Sequence, residues 1–154
     1  MSKKIYEDLW VENAEIGYKN FAGNVSPVNL KGNKTFSIFF EEDVAKQLEE
    51  QGWNIKWPKP NPDIDPADDR RKPHLPVEAR FDNYPPKVAI MNYENPVFLE
   101  NDTINQLDSA IIEKADVLVR PYNYIVSGRE GVKAYLKSLY VTLREDEGTR
   151  KYGF

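Results

Sequence analysis

Arg120, Tyr122 and Tyr124, and then Lys133, Tyr135 and Lys137, recur at every second position, so each trio falls on one face of an extended strand. A face that interleaves cations and rings suits a nucleic-acid strand. The charges attract phosphates and release their counterions, and each ring offers a base a stacking surface worth about 1 to 3 kcal/mol. A water-exposed strand face tolerates Lys and Tyr without any ligand, so ordinary strand surface is the competing reading. The distribution of charge bears on the choice. Residues 117–144 hold five basic residues (Arg120, Arg129, Lys133, Lys137, Arg144) against one acid (Glu130), inside a chain whose net charge is -4.

Catalytic constellations are scarce. Neither a GxxxxGK[ST] phosphate loop nor a GxGxxG dinucleotide turn is present, since Gly128-Arg129-Glu130-Gly131 merely closes a turn. The one histidine, His74, has no cysteine or second histidine to join it in a zinc site, and it reads as a loop residue. Asp63, Asp65, Asp68 and Asp69 suggest calcium, but Asp68 stands where an EF-hand loop needs its glycine. Asp63 with Glu78-Ala79-Arg80 loosely imitates a metal-dependent nuclease, with arginine where lysine is expected. The expectation is a protein with no catalytic residues, no metal and no cofactor.

The element that must position the two trios is a β-hairpin from Asp116 to Leu143. Its first arm runs from Val117 to Val126, its break spans Ser127 to Gly131, and its second arm runs from Val132 to Leu143. Lys133, Tyr135 and Lys137 share a parity with Leu139, Val141 and Leu143. A bulge or bend near Ser138 must therefore separate a wet half from a buried half.

Upstream, Leu9 to Phe21 reads as an extended, bulged strand, residues 24–33 as a loop, and Lys34 to Phe40 as a strand. Glu41 to Gln51 is the clearest helix, with acids in its first turn, Val44, Ala45 and Leu48 as its apolar stripe, and Gly52 as its stop. Trp53, Ile55 and Trp57 then alternate with Asn54 and Lys56. Trp53 suits a core, whereas Trp57, beside a proline-rich loop, suits either a core or a stacking platform. Residues 58–73 are too rich in proline and charge for a sheet. They form a surface loop that either folds back on its own charges or offers Arg70, Arg71 and Lys72 to a ligand.

Leu75 to Phe81 alternates as a strand with Arg80 outward. The turn from Asp82 to Lys87 leads to strands at Val88 to Met91 and Pro96 to Leu99. A second helix is expected from Thr103 to Ile112, capped by Asn101 or Asp102 and burying Ile104, Leu107 and Ile111. Short strands interrupted by two helices point to a mainly β, mostly antiparallel barrel with helical insertions. A length of 154 residues suits one domain, the absence of cysteine fits a reducing cytoplasm, and no run is apolar enough for a membrane span.

The strings NVSPVNLKGNKTFSIFFEEDVAKQLEEQGWNIK, LPVEARFDNYPPKV and DVLVRPYNYIVSGREGVKAYLKSLYVTLRED resemble a family of bacteriophage single-stranded DNA-binding proteins with an OB-like fold. The resemblance spans most of Phe21 to Asp146. Its most specific pieces are Gly52-Trp53-Asn54, Arg80-Phe81, Pro85-Pro86, Arg120-Pro121-Tyr122 and Lys133-Ala134-Tyr135-Leu136-Lys137. It implies an OB-like domain over residues 1–146 and a tail over 147–154. Glu145-Asp146-Glu147, at the boundary with the tail, and Phe154 approximate an acidic, partner-recruiting end, interrupted by Arg150 and Lys151.

The expected function is sequence-tolerant coating of single-stranded DNA in replication or recombination, in the host cytoplasm. Lys34, Lys56, Arg80, Lys87, Arg120, Lys133 and Lys137 would contact phosphates, and Trp57, Tyr122, Tyr124 and Tyr135 would stack on bases. Replication or recombination proteins and a second copy of the chain are the protein partners considered. The alternatives are a protein-binding module, such as an inhibitor or virion component using the same aromatic patch, and, as a minor one, the nuclease.

Overall fold

Apolar and β-branched residues at period two build the strands. The computed structural model describes residues 4–27, 29–82 and 84–144, and among them eight strands join in one sheet. These are β1 (Leu9–Val11), β2 (Glu15–Asn20), β3 (Lys34–Phe39), β4 (His74–Ala79), β5 (Lys87–Ile90), β6 (Val97–Leu99), β7 (Ile112–Val126) and β8 (Arg129–Leu143). The expected mainly β class is borne out. Strand order is β1-β7-β8-β4-β3-β2, with β5 joined to β8 and carrying β6 on its other side.

No hydrogen-bonded ladder closes this path among the described residues, yet its two ends are neighbours in the chain. Only Glu12, Asn13 and Ala14 separate β1 from β2, and the Ala14 amide donates to the Ala115 carbonyl of β7 at 2.6 Å. The long bulged strand expected over Leu9 to Phe21 is thus two short strands facing different partners, β7 and β3.

The pairing is less uniformly antiparallel than expected, because both β4 and β5 run parallel to β8. β7 occupies one edge of β8 along its whole length, so β4 and β5 must share the other edge, reached through long crossovers.

Helix α1 (Glu42–Gln51) forms as expected, burying Ala45 and Leu48 and ending at Gly52, whose φ of 116° closes it; Val44 remains exposed. The second expected helix does not form. Ile104–Asp108 is a 3-10 turn that buries Ile104 and Leu107 but leaves Ile111 61% exposed. An α-helix through Ile112 would need the carbonyl of Leu107 for the Ile111 amide, and would leave that of Ala110 in its last turn to an outside donor. The Lys19 ammonium takes both, at 2.7 and 2.6 Å, and Ile112 pairs with Leu143 instead. Burial lowers the Lys19 pKa although Asp108 opposes the shift.

The hairpin is tighter than its sequence suggests. Ser127 (φ 52°) and Gly128 (φ 77°) alone make the turn, so Glu130 and Gly131 belong to β8. Two successive positive φ values match the right-handed twist of the arms.

The expected bulge lies at Lys137. Leu118 faces Ser138 and Val119 faces Leu136, leaving Lys137 unopposed. Core parity changes there, from Val132, Ala134 and Leu136 to Leu139 and Val141. β8 also exchanges partners at this point, β4 at Tyr135 for β5 at Ser138 to Val141. The connection from β4 to β5, carrying Arg80 and Tyr84, therefore crosses directly over Tyr135.

Candidate nucleic-acid interface

Register decides which side chains meet. In the β7–β8 ladder Arg120 faces Tyr135, Tyr122 faces Lys133 and Tyr124 faces Gly131, so all lie on the face turned away from the core. Tyr135 is only 6% exposed, because other functional groups cover it rather than because it turns inward. Tyr122 packs against it with ring centroids 5.5 Å apart, and the Arg80 and Arg120 guanidinium carbons stand 5.7 and 5.9 Å from its ring. Arg120 also stands 5.0 Å from the ring of Tyr84. Tyr135 is the floor of the cluster, with Tyr84 (74% exposed) and Tyr122 (51% exposed) rising at its sides.

The electrostatics are directional. Arg80 donates to the Tyr135 hydroxyl at 3.4 Å and to the Asp82 carboxylate at 2.8 Å, and both contacts hold its pKa above the usual guanidinium value. Arg120 and Lys133 make no ion pair among the described residues. Among the described residues, two cations thus stand without a carboxylate partner beside exposed rings. A cleft of about 310 Å³ between Arg80, Tyr84, Arg120 and Tyr122 adjoins a second of about 610 Å³ lined by Tyr124, Lys133 and Lys4. Tyr122 and Tyr135 border both.

Arg80, Arg120, Tyr122, Tyr124, Lys133 and Tyr135 therefore come together. The remaining residues named from sequence stand elsewhere or are engaged. Lys137, on the bulge, bonds Asp8 at 2.7 Å. The Lys34 ammonium donates to the Asn101 carbonyl and lies 5.9 Å from the Phe81 ring, and Lys87 stands 5.4 Å from Phe98. Lys56 and Trp57 lie at the far end of β4, where Lys56 bridges to His74 and the Trp57 indole N–H donates to Glu49 at 2.7 Å.

The charged loop pairs partly with itself and partly with neighbouring elements. Arg71 pairs with Asp69 at 2.7 Å, holding that carboxyl at about 2, while Lys72 joins Glu15 and Glu41, each at 3.0 Å. Among the described residues no group of three His, Asp or Glu side chains could hold a metal ion.

A family model described as "Putative phage ssDNA-binding domain" matches residues 1–153. The chain belongs to this family. Its fold resembles the single-stranded DNA-binding protein from bacteriophage Enc34. A C-terminally truncated form of that protein has a TM-score of 0.55 and 14% identity, with 90% of this chain and 87% of that chain covered. The same protein in complex with ssDNA has a TM-score of 0.55 and 15% identity, with 90% and 88% covered. At such identities the likeness is one of fold. No curated protein sequence matches.

Sequence reasoning missed Tyr84 as a member of the cluster, because the segment reads only as a turn. The signal lay in Pro85-Pro86, which holds the preceding residue extended and so aims the ring. Gly131 was seen only as turn material, yet Tyr124 lies directly across it, and a Cβ there would overlap the ring. Gly131→Ala is expected to force Tyr124 off the strand at a cost of about 1 to 3 kcal/mol. Urea unfolding would register this as a lower midpoint, whereas an unchanged midpoint would mean the ring moves freely.

Proposed function

We propose that this chain is a sequence-tolerant single-stranded DNA-binding protein whose strand lies in the paired clefts of β7 and β8. Arg120, Arg80 and Lys133 neutralise phosphates, and Tyr122, Tyr84 and Tyr124 stack on bases, over a floor made by Tyr135. The observation that carries this reading is the placement of Arg120, without a carboxylate partner among the described residues, between the rings of Tyr84 and Tyr135. An arginine so placed is preorganised for phosphate while its neighbours keep faces open for bases. Family membership supports the same ligand. Nothing in such a mechanism requires a catalytic step.

We read the sheet as OB-like. β2, β3, β4, β7 and β8 take the five strand positions, and β1 serves as the first half of β2's strand. The chain between β4 and β7 supplies a short helical turn rather than a full helix. Replication or recombination is the proposed setting, in the host cytoplasm, and among the described residues no helix is long and apolar enough to cross a membrane. A dimer and recruitment of partner proteins by the tail are further parts of this proposal. Residues 147–154 of that tail lie outside the described residues.

Intrinsic tryptophan and tyrosine fluorescence is expected to be quenched by oligothymidylate and restored by salt, with single strands bound more tightly than duplex. Silence at low salt would sink the DNA reading and favour a protein partner for the same aromatic patch. Equal affinity for duplex would sink the single-strand preference.

A further inference from the structure

A second aromatic group lies on the same outer face, beyond β4. Tyr18 sits 5.4 Å from Phe39 and 5.3 Å from His74, and Phe39 and His74 are 5.7 Å apart, all between ring centroids. Phe39 and His74 are directly paired across β3 and β4, and the bulge in β2 brings Tyr18 against them. Three features distinguish this group from rings buried for stability. Tyr18 is 71% exposed, yet it holds a φ of 48° that an aromatic residue rarely adopts. Phe39 lies flat across Gly17, where a Cβ would come within 2.6 Å of its ring. None of the three rings belongs to the fully buried core.

The group is continuous with the first interface. On the outward face of β4, Glu78 pairs with Tyr135, Pro76 follows, and His74 lies about 13 Å from Glu78 at 3.3 Å per residue. Where β4 and β8 splay apart, a groove of about 160 Å³ runs past Lys133, Thr35 and Pro76, and it shares Lys133 with the larger cleft. That interval matches about four stacked bases at 3.4 Å each. Charge differs between the two places. Lys72 is shared between Glu15 and Glu41 and Arg71 is taken by Asp69, while Lys56, backbone-paired to His74, is the cation that stands nearest the group without an ion pair among the described residues.

We propose that Tyr18, Phe39 and His74 form a second base-stacking subsite, which takes up a single strand leaving the β7–β8 clefts along the outer face of β4 and β3. This rests on the single-strand reading above. The rings stack without themselves neutralising phosphate, so they add affinity only to strands long enough to reach them, and removing a ring leaves the neighbouring charges, and with them the salt dependence, as they were.

Tyr18→Gly tests this with little risk to folding, since glycine adopts the positive φ freely and the lost ring is mostly exposed. Wild type and variant would be titrated with oligothymidylates from about 4 to about 16 nucleotides, the span of OB-fold site sizes. The shortest strands are expected to bind both alike. The longest should bind the variant about 5- to 100-fold more weakly, with an unchanged slope of log affinity against log salt. Equal affinity at every length overturns the proposal, as does a loss of the same size at every length or a reduced salt slope. Failure of the wild type to bind any length would instead overturn the single-strand reading itself.

Discussion

Arg80→Ala/Arg120→Ala is expected to lose at least about 100-fold in single-strand affinity at low salt, taking about 1.5 to 3 kcal/mol for each hydrogen bond to a charged group. The slope of log affinity against log salt should flatten by about 1.4, since each neutralised phosphate on a single strand contributes about 0.7. Both guanidiniums lie at the surface, so the fold should survive. Arg80 also pairs with Asp82 at 2.8 Å, a contact that the double variant loses. Arg120→Lys is a useful companion variant. Lysine keeps the charge but lacks the plane that lies over Tyr84, so it should restore the salt slope and only part of the affinity. A salt titration of wild type and both variants checks this, and an unchanged slope in the double variant would remove these arginines from the interface.

Tyr135→Ala should have the largest effect on stability among the interface residues, about 3 to 5 kcal/mol, as for other buried aromatic truncations. Its ring is the common support of Tyr122, Arg80 and Arg120, and it lies where β8 pairs with β4. Tyr135→Phe keeps that support and loses only the long 3.4 Å contact from Arg80. The phenylalanine variant is expected to unfold within about 1 kcal/mol of wild type and to bind nearly as well. Urea unfolding and oligonucleotide titration of the two variants separate a supporting ring from a stacking one. If Tyr135→Phe lost binding as severely as Tyr135→Ala, the hydroxyl rather than the ring would be the functional part.

Local patterns made the hairpin legible, because alternation assigns faces without reference to the rest of the fold. The parity clash between Lys133 and Leu139 even located a bulge, found one residue from the expected place. Burial of Tyr135 was not legible, since it depends on Arg80 and Tyr84 arriving from a connection about fifty residues earlier. The missing second helix has a similar origin. Ile104 and Leu107 have helical spacing, but the competitor for their turn's carbonyls is Lys19, from a distant strand. Lys34, Lys87 and Lys137 were grouped with the interface on charge alone. Charge says nothing of direction, and each of these side chains has a contact of its own in the fold. The chain's single histidine read as a loop residue, whereas it begins β4 and faces Phe39 across the sheet. The proline before it obscured a strand that starts abruptly at the end of a proline-rich segment.

The two short strands at the ends of the sheet path also bear on how the protein is made. β1 pairs with β7, and the nearby Ile5 amide is held by the Asn123 side chain, 118 residues later in the sequence. On the ribosome the first strand therefore waits, with Leu9 and Val11 uncovered, until nearly the whole described chain has emerged. Contacts of such long range slow folding and prolong exposure of unpaired strand edges. Translation arrested before β7 would leave β1 without a partner and both edges of the β2–β3–β4 meander open, a nascent chain prone to aggregate rather than a smaller folded protein.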